Sequence, residues 1–270
     1  MAKVQRATKP PAKVERPEKV EKQDQHFSPE IEVKQLPSGF KPYPKNVQVS
    51  YRPFSMGEIK KMGQDEISLE KKFEYVLKGI TVINMDKMQL TVADVLYLSM
   101  LRKLTIPGVD TVTVTKRCVH CGGYIVGKKV FLGEVEFQDL KTELPVSFEY
   151  EEVKYSFSPL TIGGLLEIAA ETNEEPNEEQ LLAKTCISPS YEDALAMVTR
   201  LNNDVPYNSP DLAVLNTIDS MMYHGVAPIK LVCDECGLEN KISLDEEEQG
   251  VLVLPFCEDP APVATRISVG

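Results

Sequence analysis

Two Cys-x-x-Cys-Gly turns constrain this chain more than any other feature of its sequence. One begins at Cys118 and the other at Cys233, and β-branched residues lie just before both. Such a turn aims two thiolates at one ion, and its glycine takes up the positive φ that the turn needs. Each turn supplies two ligands, whereas a structural zinc site needs four. We therefore predict one shared structural zinc ion, bound by Cys118, Cys121, Cys233 and Cys236.

The long separation of the two turns shapes the predicted fold. About 110 residues lie between Cys121 and Cys233, whereas an ordinary zinc ribbon has roughly 15–20. The intervening chain must leave one turn and return to the other, which costs little when the ends of an insertion lie close together. The sequence thus predicts an α+β protein. It comprises a small β-rich module with two zinc knuckles, interrupted by a helical insertion, plus a disordered N-terminal arm.

Other interpretations of the cysteines can be compared with this one. A redox Cys-x-x-Cys pair opens a helix, and no helical pattern follows either turn. Two separate sites would each need further ligands, for which His26, His120 and His224 are poor candidates. Iron held by four thiolates remains an alternative to zinc. Cys186 is predicted to be a core thiol, and Cys257 to pack behind the second turn.

Composition and periodicity divide the chain into five segments. The first is rich in Lys, Pro and Glu and has few large apolar residues, so it cannot offset its ordering entropy. The segments are the disordered arm at residues 1–35, a strand and helices at 36–110, the first knuckle and β module at 111–160, the helical insertion at 161–226, and the second knuckle with strands and a C-terminal tail at 227–270.

Local signals predict where several helices begin and end. Ser68 caps a helix that runs to about Lys78, and Thr91 forms a capping box with Asp94 at the start of a broadly apolar helix. Ser190 and Ser209 begin two helices of the insertion, and the second of them is expected to reach His224, where the helix dipole favours a cation. Val47, Val49 and Tyr51 alternate with polar residues and predict a strand at 47–51, and further strands are predicted at 146–150, 153–157, 229–232 and 251–254.

Charge and the absence of known motifs narrow the function. The net charge is −11, although residues 1–25 carry seven basic and four acidic residues. An acidic body disfavours nucleic-acid binding. No apolar run reaches the roughly 18 residues of a membrane span, and the start of the chain does not resemble a secretory signal, so we expect a reducing cytoplasm. Phosphate loops, H-E-x-x-H and nucleophile elbows are missing, so we expect neither an enzyme nor a small-molecule substrate.

Four features follow one another along the chain. They are the turn Leu36-Pro37-Ser38-Gly39, the strand leading to Arg52-Pro53-Phe54, the helix from Ala93 to Arg102 just before a Cys-x-x-Cys turn, and the second turn followed by Leu254-Pro255-Phe256. This order resembles the T4-like baseplate-hub protein family of contractile-tailed bacteriophages. The resemblance covers about residues 36–256. Only the four cysteines are carried over as ligands, while Asp94 and Arg102 are interpreted as structural features of their helix. The basic arm and the long insertion depart from a compact member.

The resemblance implies a structural component of the baseplate hub region. Such a protein would assemble in the host cytoplasm, remain in the virion, and contact the hub, tube or tape-measure protein. A tail assembly chaperone for the tape-measure protein, absent from the mature virion, is one alternative. A zinc-ribbon nucleic-acid-binding accessory protein is another. The cations near the first turn are Lys116, Arg117, Lys128 and Lys129. The acidic residues near the second turn are Asp234, Glu235 and Glu239.

Overall fold

The computed structural model describes residues 30–62, 68–106, 110–172 and 176–242. Within these ranges the chain mixes α-helices with small antiparallel sheets, as the sequence predicts. Most of the predicted arm, the strand predicted at 251–254, His26 and Cys257 lie outside the described residues.

The described ranges contain seven α-helices and ten strands. The helices are α1 (Met56–Met62), α2 (Leu69–Lys78), α3 (Val92–Leu104), α4 (Ile162–Thr172), α5 (Glu178–Lys184), α6 (Tyr191–Asn203) and α7 (Pro210–Met222). The strands are β1 (Ile31–Glu32), β2 (Gln48–Tyr51), β3 (Ile80–Ile83), β4 (Thr111–Arg117), β5 (Tyr124–Phe131), β6 (Val146–Tyr150), β7 (Val153–Phe157), β8 (Cys186–Ser188), β9 (Ile229–Val232) and β10 (Glu239–Ile242). None of these helices has the length and apolar character that crossing a membrane requires.

A three-stranded antiparallel sheet, with β2 between β1 and β3, encloses the first core together with α2 and α3. Val49 and Tyr51 of β2 are buried while Gln48 is exposed, which is the period of two that a half-buried strand requires. Strand β1 pairs with β2 and lies inside the segment predicted to be a disordered arm. The chain therefore enters the fold earlier than predicted, because β2 supplies backbone partners that the composition of the arm does not reveal.

The predicted helix starts are confirmed at Ser68, Thr91, Ser190 and Ser209. Each side chain accepts a hydrogen bond from a backbone N–H of the first turn, a donor that has no partner within the helix. The end of α7 differs from the prediction. This helix ends at Met222, two residues before the predicted end at His224.

A buried hydrogen-bonded network surrounds the start of α3. The Asp94 N–H donates to Thr91 Oγ1 (3.2 Å), which is the capping half of the predicted box. The Asp94 carboxylate does not complete the box. It accepts instead from the Ser38 N–H (3.0 Å) and the Tyr43 hydroxyl (2.5 Å), and the Thr91 N–H donates to Tyr43 Oη (2.8 Å). Burial and the adjacent Asp94 raise the pKa of Tyr43 well above its usual value. The prediction that Thr91 caps α3 is therefore confirmed. The predicted second half of the box is wrong, because the Asp94 carboxylate binds Ser38 and Tyr43 instead.

His224 extends this network to the end of α7. Its Nε2 lies 3.0 Å from Thr91 Oγ1, a residue 133 positions away in sequence, and its Nδ1 lies 2.8 Å from the Met222 carbonyl oxygen. Since a carbonyl only accepts hydrogen bonds, Nδ1 carries a proton. The sequence predicts only helix capping for His224, whereas its buried ring also joins the end of α7 to the start of α3.

Arg102 of α3 is completely buried against the first core. Its Nε donates to the Arg52 carbonyl oxygen (2.7 Å), its Nη2 lies 3.5 Å from Glu58 Oε2, and its guanidinium carbon lies 3.7 Å from the centre of the Phe54 ring. Burial lowers the pKa of Arg102 to about 10, although Glu58 opposes this shift. Arg102 therefore remains a cation at neutral pH and ties α3 to α1 and to the segment after β2. Its interpretation as a structural residue of the helix agrees with these contacts.

The ends of the insertion lie side by side. Phe137 and Val226 form an antiparallel bridge. The Gln138 N–H donates to the Gly225 carbonyl oxygen (2.9 Å), and the Ala227 N–H donates to that of Glu136 (2.7 Å). The chain therefore leaves and re-enters the cysteine-bearing part at one place, which satisfies the low-cost condition for a long insertion.

The insertion begins earlier than residue 161. Strands β6 and β7 form a sheet with β8, and this sheet packs against α5, α6 and α7 around a second core. The sequence assigns these two strands to the first knuckle module at 111–160, because strand patterns carry no information on which segments share a core. The cysteine module is accordingly defined here as residues 111–137 and 226–242.

Replacing Gly79 by Ala tests the burial of Arg102. An added Cβ would lie 2.0 Å from Arg102 Nη2, so we expect the free energy of unfolding to fall by about 1–3 kcal/mol through overpacking. Urea denaturation measures the change. Gly57→Ala in α1 is the matched control: its Cβ would meet nothing closer than Ser55 Oγ at 3.8 Å, and it should leave stability unchanged or raise it. Equal urea midpoints for the two variants would contradict this prediction.

Candidate metal centre

The first cysteine turn, residues 118–123, is closed by two backbone hydrogen bonds. The Cys118 N–H donates to the Gly123 carbonyl oxygen (2.6 Å), and the Gly122 N–H donates to that of Cys118 (3.0 Å). Gly122 has a φ of 77°, a conformation in which a Cβ would be strained. Arg117 Nε donates to the Gly122 carbonyl oxygen (2.9 Å) and supports the turn from outside.

The second cysteine turn, residues 233–238, repeats this geometry. The Cys233 N–H donates to the Leu238 carbonyl oxygen (3.0 Å), and the Gly237 N–H donates to that of Cys233 (2.9 Å). Gly237 has a φ of 71°. The glycine after each Cys-x-x-Cys pair therefore has the role that the sequence predicts for it.

The structure brings the four predicted ligands together. All four Sγ atoms lie within 4.8 Å of one another. The separations are 3.7 Å between Cys118 and Cys236 and 3.8 Å between Cys121 and Cys233, so these two contacts each join one turn to the other. A tetrahedron with metal–sulfur bonds of 2.3 Å has edges of about 3.8 Å. The cluster therefore has the dimensions of a site for one metal ion.

Two β-hairpins position the turns. Strands β4 and β5 hold the first turn, and β9 and β10 hold the second. Ile125 and Leu231 pack with the cysteines at the tips of the hairpins. Farther from the tips, Val130 and Val226 pack against Met100 of α3. The cysteine cluster is thus anchored to the helix whose other side contributes to the first core.

Asn240 joins the two turns and was not predicted from sequence. Its Oδ1 accepts from the Val119 N–H (3.0 Å) and its Nδ2 donates to the Leu238 carbonyl oxygen (3.1 Å). Only 2% of the residue is exposed. The available signal was a small polar residue at the inward position of a strand, between Glu239 and Lys241, which are both exposed.

Polar side chains complete the contact between the turns. His120 is exposed, and its Nε2 lies 3.0 Å from the Glu239 carbonyl oxygen. Lys128 Nζ lies 2.6 Å from Asp234 Oδ1. Glu235 Oε2 lies 4.0 Å from Cys121 Sγ.

Crowding of the thiols changes their acidity. Burial raises the pKa of Cys118, but the backbone N–H groups of Cys121 and His120 outweigh it and lower that pKa to about 6. The Gly123 N–H lowers the pKa of Cys121, but burial and the neighbouring thiols together raise it to about 12. One thiolate thus opposes the ionisation of its neighbours. A bound dication would relieve that opposition, since metal binding to thiols releases their protons.

The remaining predicted residues lie elsewhere. Cys186 is buried in the second core, its Sγ donates to the Ser188 carbonyl oxygen (3.0 Å), and burial raises its pKa. It has the predicted character of a core thiol. His224 lies at the start of α3, where its ring nitrogens contact Thr91 and Met222, and it is not part of the cysteine cluster.

Comparisons of the chain with protein-family models, with curated proteins and with solved structures each gave no match. The chemistry of the cluster therefore rests on its own geometry. Four cysteines around one position can provide a complete tetrahedral shell, the arrangement that structural zinc sites use.

Replacing Asn240 by Ala tests its role between the turns. The Val119 N–H and the Leu238 carbonyl would each lose a buried partner, so we expect metal affinity to fall about 10–100-fold, as for other supporting residues around metal ligands. Competition with a chromophoric chelator measures the affinity. Lys241→Ala, one position along the same strand and exposed, should bind metal like the unaltered chain. Equal affinities for both variants would remove Asn240 from the site.

Proposed function

We propose that the four cysteines bind one structural zinc ion that fastens the two hairpins together. The observation that carries this proposal is the pair of 3.7 and 3.8 Å sulfur separations between the turns, which match the edges of a zinc–thiolate tetrahedron. Four thiolates leave no open coordination position. The ion would therefore stabilise the fold and perform no chemistry on a substrate, and the protein is proposed not to be an enzyme.

The compactness of the cluster favours one ion over a multi-iron cluster. In an iron–sulfur cluster the thiolates bind different iron atoms, which spreads them farther apart than the ligands of one ion. Here all four sulfur atoms lie within 4.8 Å of one another. A single iron ion would have the same four-sulfur geometry as zinc, so elemental analysis must separate the two metals.

The wider role that we propose is a structural component of a bacteriophage contractile-tail baseplate, in the hub region. Its support is the resemblance of residues 36–256 to the T4-like baseplate-hub family. A closed metal centre, which stabilises a fold without reacting, suits an assembly component. The proposed partners are other tail proteins, such as the hub, tube or tape-measure protein, and the proposed location is the virion, after assembly in the host cytoplasm.

Exposed apolar side chains on the cysteine module support contact with neighbouring proteins. Val119, Tyr124 and Val126 are 72%, 63% and 64% exposed, and Val232 and Leu238 are each more than half exposed. Tyr124 and Val126 point to the outer face of β5, since Ile125 between them is buried. Exposed apolar groups of this kind are typical of surfaces that bind other proteins.

The nucleic-acid alternative is weakened because acidic side chains pair with lysines of the cysteine module. Lys128 contacts Asp234 at 2.6 Å, and Lys230 lies 3.5 Å from Glu239 Oε1. Paired lysines have less charge to offer to phosphates. The alternative of a tail assembly chaperone differs from a structural subunit only in whether the protein leaves the particle, which the tail composition decides.

The metal is tested by elemental mass spectrometry of the purified chain. We expect one zinc per chain. The zinc should be lost in Cys118→Ser, which removes a ligand of the first turn, and in Cys236→Ser, which removes a ligand of the second, because zinc binding is coupled to folding. Cys186→Ser is the control and should keep its zinc. One iron per chain would show that the bound metal is iron and not zinc. A metal that remains bound in both variants would contradict a shared site.

Mature tails, purified from infected cells and analysed by quantitative mass spectrometry, test the structural role. We expect the chain in a fixed ratio to the tube protein. Replacing Tyr124 and Val126 by Ser should lower that ratio, since both side chains face outward, whereas Val153→Ser on β7, also exposed, should not. If the protein is found only in assembly intermediates, it is a chaperone. If it is found neither in assembly intermediates nor in mature tails, the proposed tail role is wrong.

A further inference from the structure

The Glu235 carboxylate lies beside the cysteine cluster and accepts a hydrogen bond from the Cys121 thiol. Its Oε2 lies 4.0 Å from Cys121 Sγ, close to the 3.7 and 3.8 Å at which the sulfur atoms stand from one another. A carboxylate oxygen is also a zinc ligand, with bonds of about 2.0–2.2 Å. Glu235 therefore places one further possible ligand atom beside Cys121.

The position of this carboxylate is not explained by an ion pair. Within the part of the chain that the structure describes, no cation lies within ion-pair distance of Glu235, whereas its neighbour Asp234 pairs with Lys128. Glu235 also lies directly on Gly123, where an added Cβ would be 2.0 Å from Oε2.

The four cysteines are unequally protected from solvent. Cys118 and Cys233, the first cysteine of each turn, are 2% and 1% exposed. Cys236 is partly buried, and Cys121 is exposed. Reagents and competing ligands therefore reach the cluster at Cys121, which is also the thiol that Glu235 approaches.

We propose that Glu235 is a reserve ligand, whose carboxylate takes the fourth coordination position when Cys121 is removed or blocked. This inference rests on the proposed metal centre and adds one residue to it. The carboxylate already stands at a ligand-to-ligand distance from Cys121 Sγ, so a side-chain rotation brings an oxygen into the position that the sulfur leaves. The site then changes from four thiolates to three thiolates and one carboxylate without losing its ion.

The decisive comparison is between two variants that both lack the Cys121 thiol. Cys121→Ala is expected to retain one zinc per chain, whereas Cys121→Ala combined with Glu235→Gln should bind zinc about 10–100-fold more weakly. Cys121→Ala combined with Glu134→Gln, which neutralises an exposed carboxylate of the cysteine module outside both turns, is the matched control and should bind like Cys121→Ala alone. Cys118→Ala, which removes a buried thiol with no carboxylate beside it, should lose the metal. Chelator competition gives the affinities, and far-UV circular dichroism monitors the fold.

Alkylation provides a second test on the folded, metal-loaded chain. Iodoacetamide forms a carbon–sulfur bond with a thiolate and releases iodide, and we expect Cys121 to react first because it is the most exposed of the four. Native mass spectrometry of the singly alkylated chain should still show one zinc. In Glu235→Gln, and in Gly123→Ala, whose Cβ displaces the carboxylate, alkylation of Cys121 should release the ion.

The outcomes separate this inference from the proposed function. A chain without any bound metal overturns both. A chain that binds zinc, but whose Cys121→Ala form binds no more tightly than the form that also carries Glu235→Gln, overturns the reserve ligand alone. Release of zinc on alkylation of Cys121 in the unaltered chain would have the same meaning.

Discussion

The antiparallel contact of residues 136–138 with residues 225–227 decides where the rest of the chain can lie. The first cysteine hairpin ends a few residues before this contact and the second begins just after it, so their tips meet even though the turns are about 110 residues apart in sequence. A loop of that length loses considerable entropy when it is closed, but the loss grows only with the logarithm of its length. Backbone pairing at the base and apolar packing in the middle hold these two hairpins together, and the proposed metal would act on the same hairpins at their tips. The proposed ion thus stabilises a juxtaposition that the base of the insertion has already prepared.

Helix α3 carries the other half of the architecture. Its first turn is held by a buried network of Thr91, Asp94, Tyr43 and His224, and its last turns carry the buried guanidinium of Arg102. The side chains of both arrangements are buried, and their buried polar atoms have hydrogen-bond partners within the described part of the chain. Such networks add little net stability but penalise alternative packings, since each unpartnered group would cost about 1–3 kcal/mol. They orient α3 so that its other side, around Met100, receives the hairpins.

How far the sequence predicts this protein depends on the distance over which each feature is determined. A Cys-x-x-Cys-Gly turn and a serine or threonine cap use residues within about five positions, and Cys118, Gly122, Ser68 and Thr91 were predicted from such local patterns. Asn240, Glu235 and His224 acquire their roles only when distant segments meet, and no local pattern shows which segments those are. The same limit explains why β6 and β7 were grouped with the first knuckle: their strand pattern is clear, but their core partners are residues of α5, α6 and α7.

The position of α3 between two cores has a consequence for the dynamics of the chain. Val95 and Leu98 belong to the core of the N-terminal sheet, while Met100 of the same helix belongs to that of the hairpins. Opening the helix toward one side would expose the other, so we expect the two regions to behave as one cooperative unit in native-state hydrogen exchange. The slowest-exchanging amides of α3 would then report on global opening, and an ion bound only by folded hairpins would slow them as well. Occupancy of the proposed metal centre at the hairpin tips would in this way protect a sheet that contains none of its ligands.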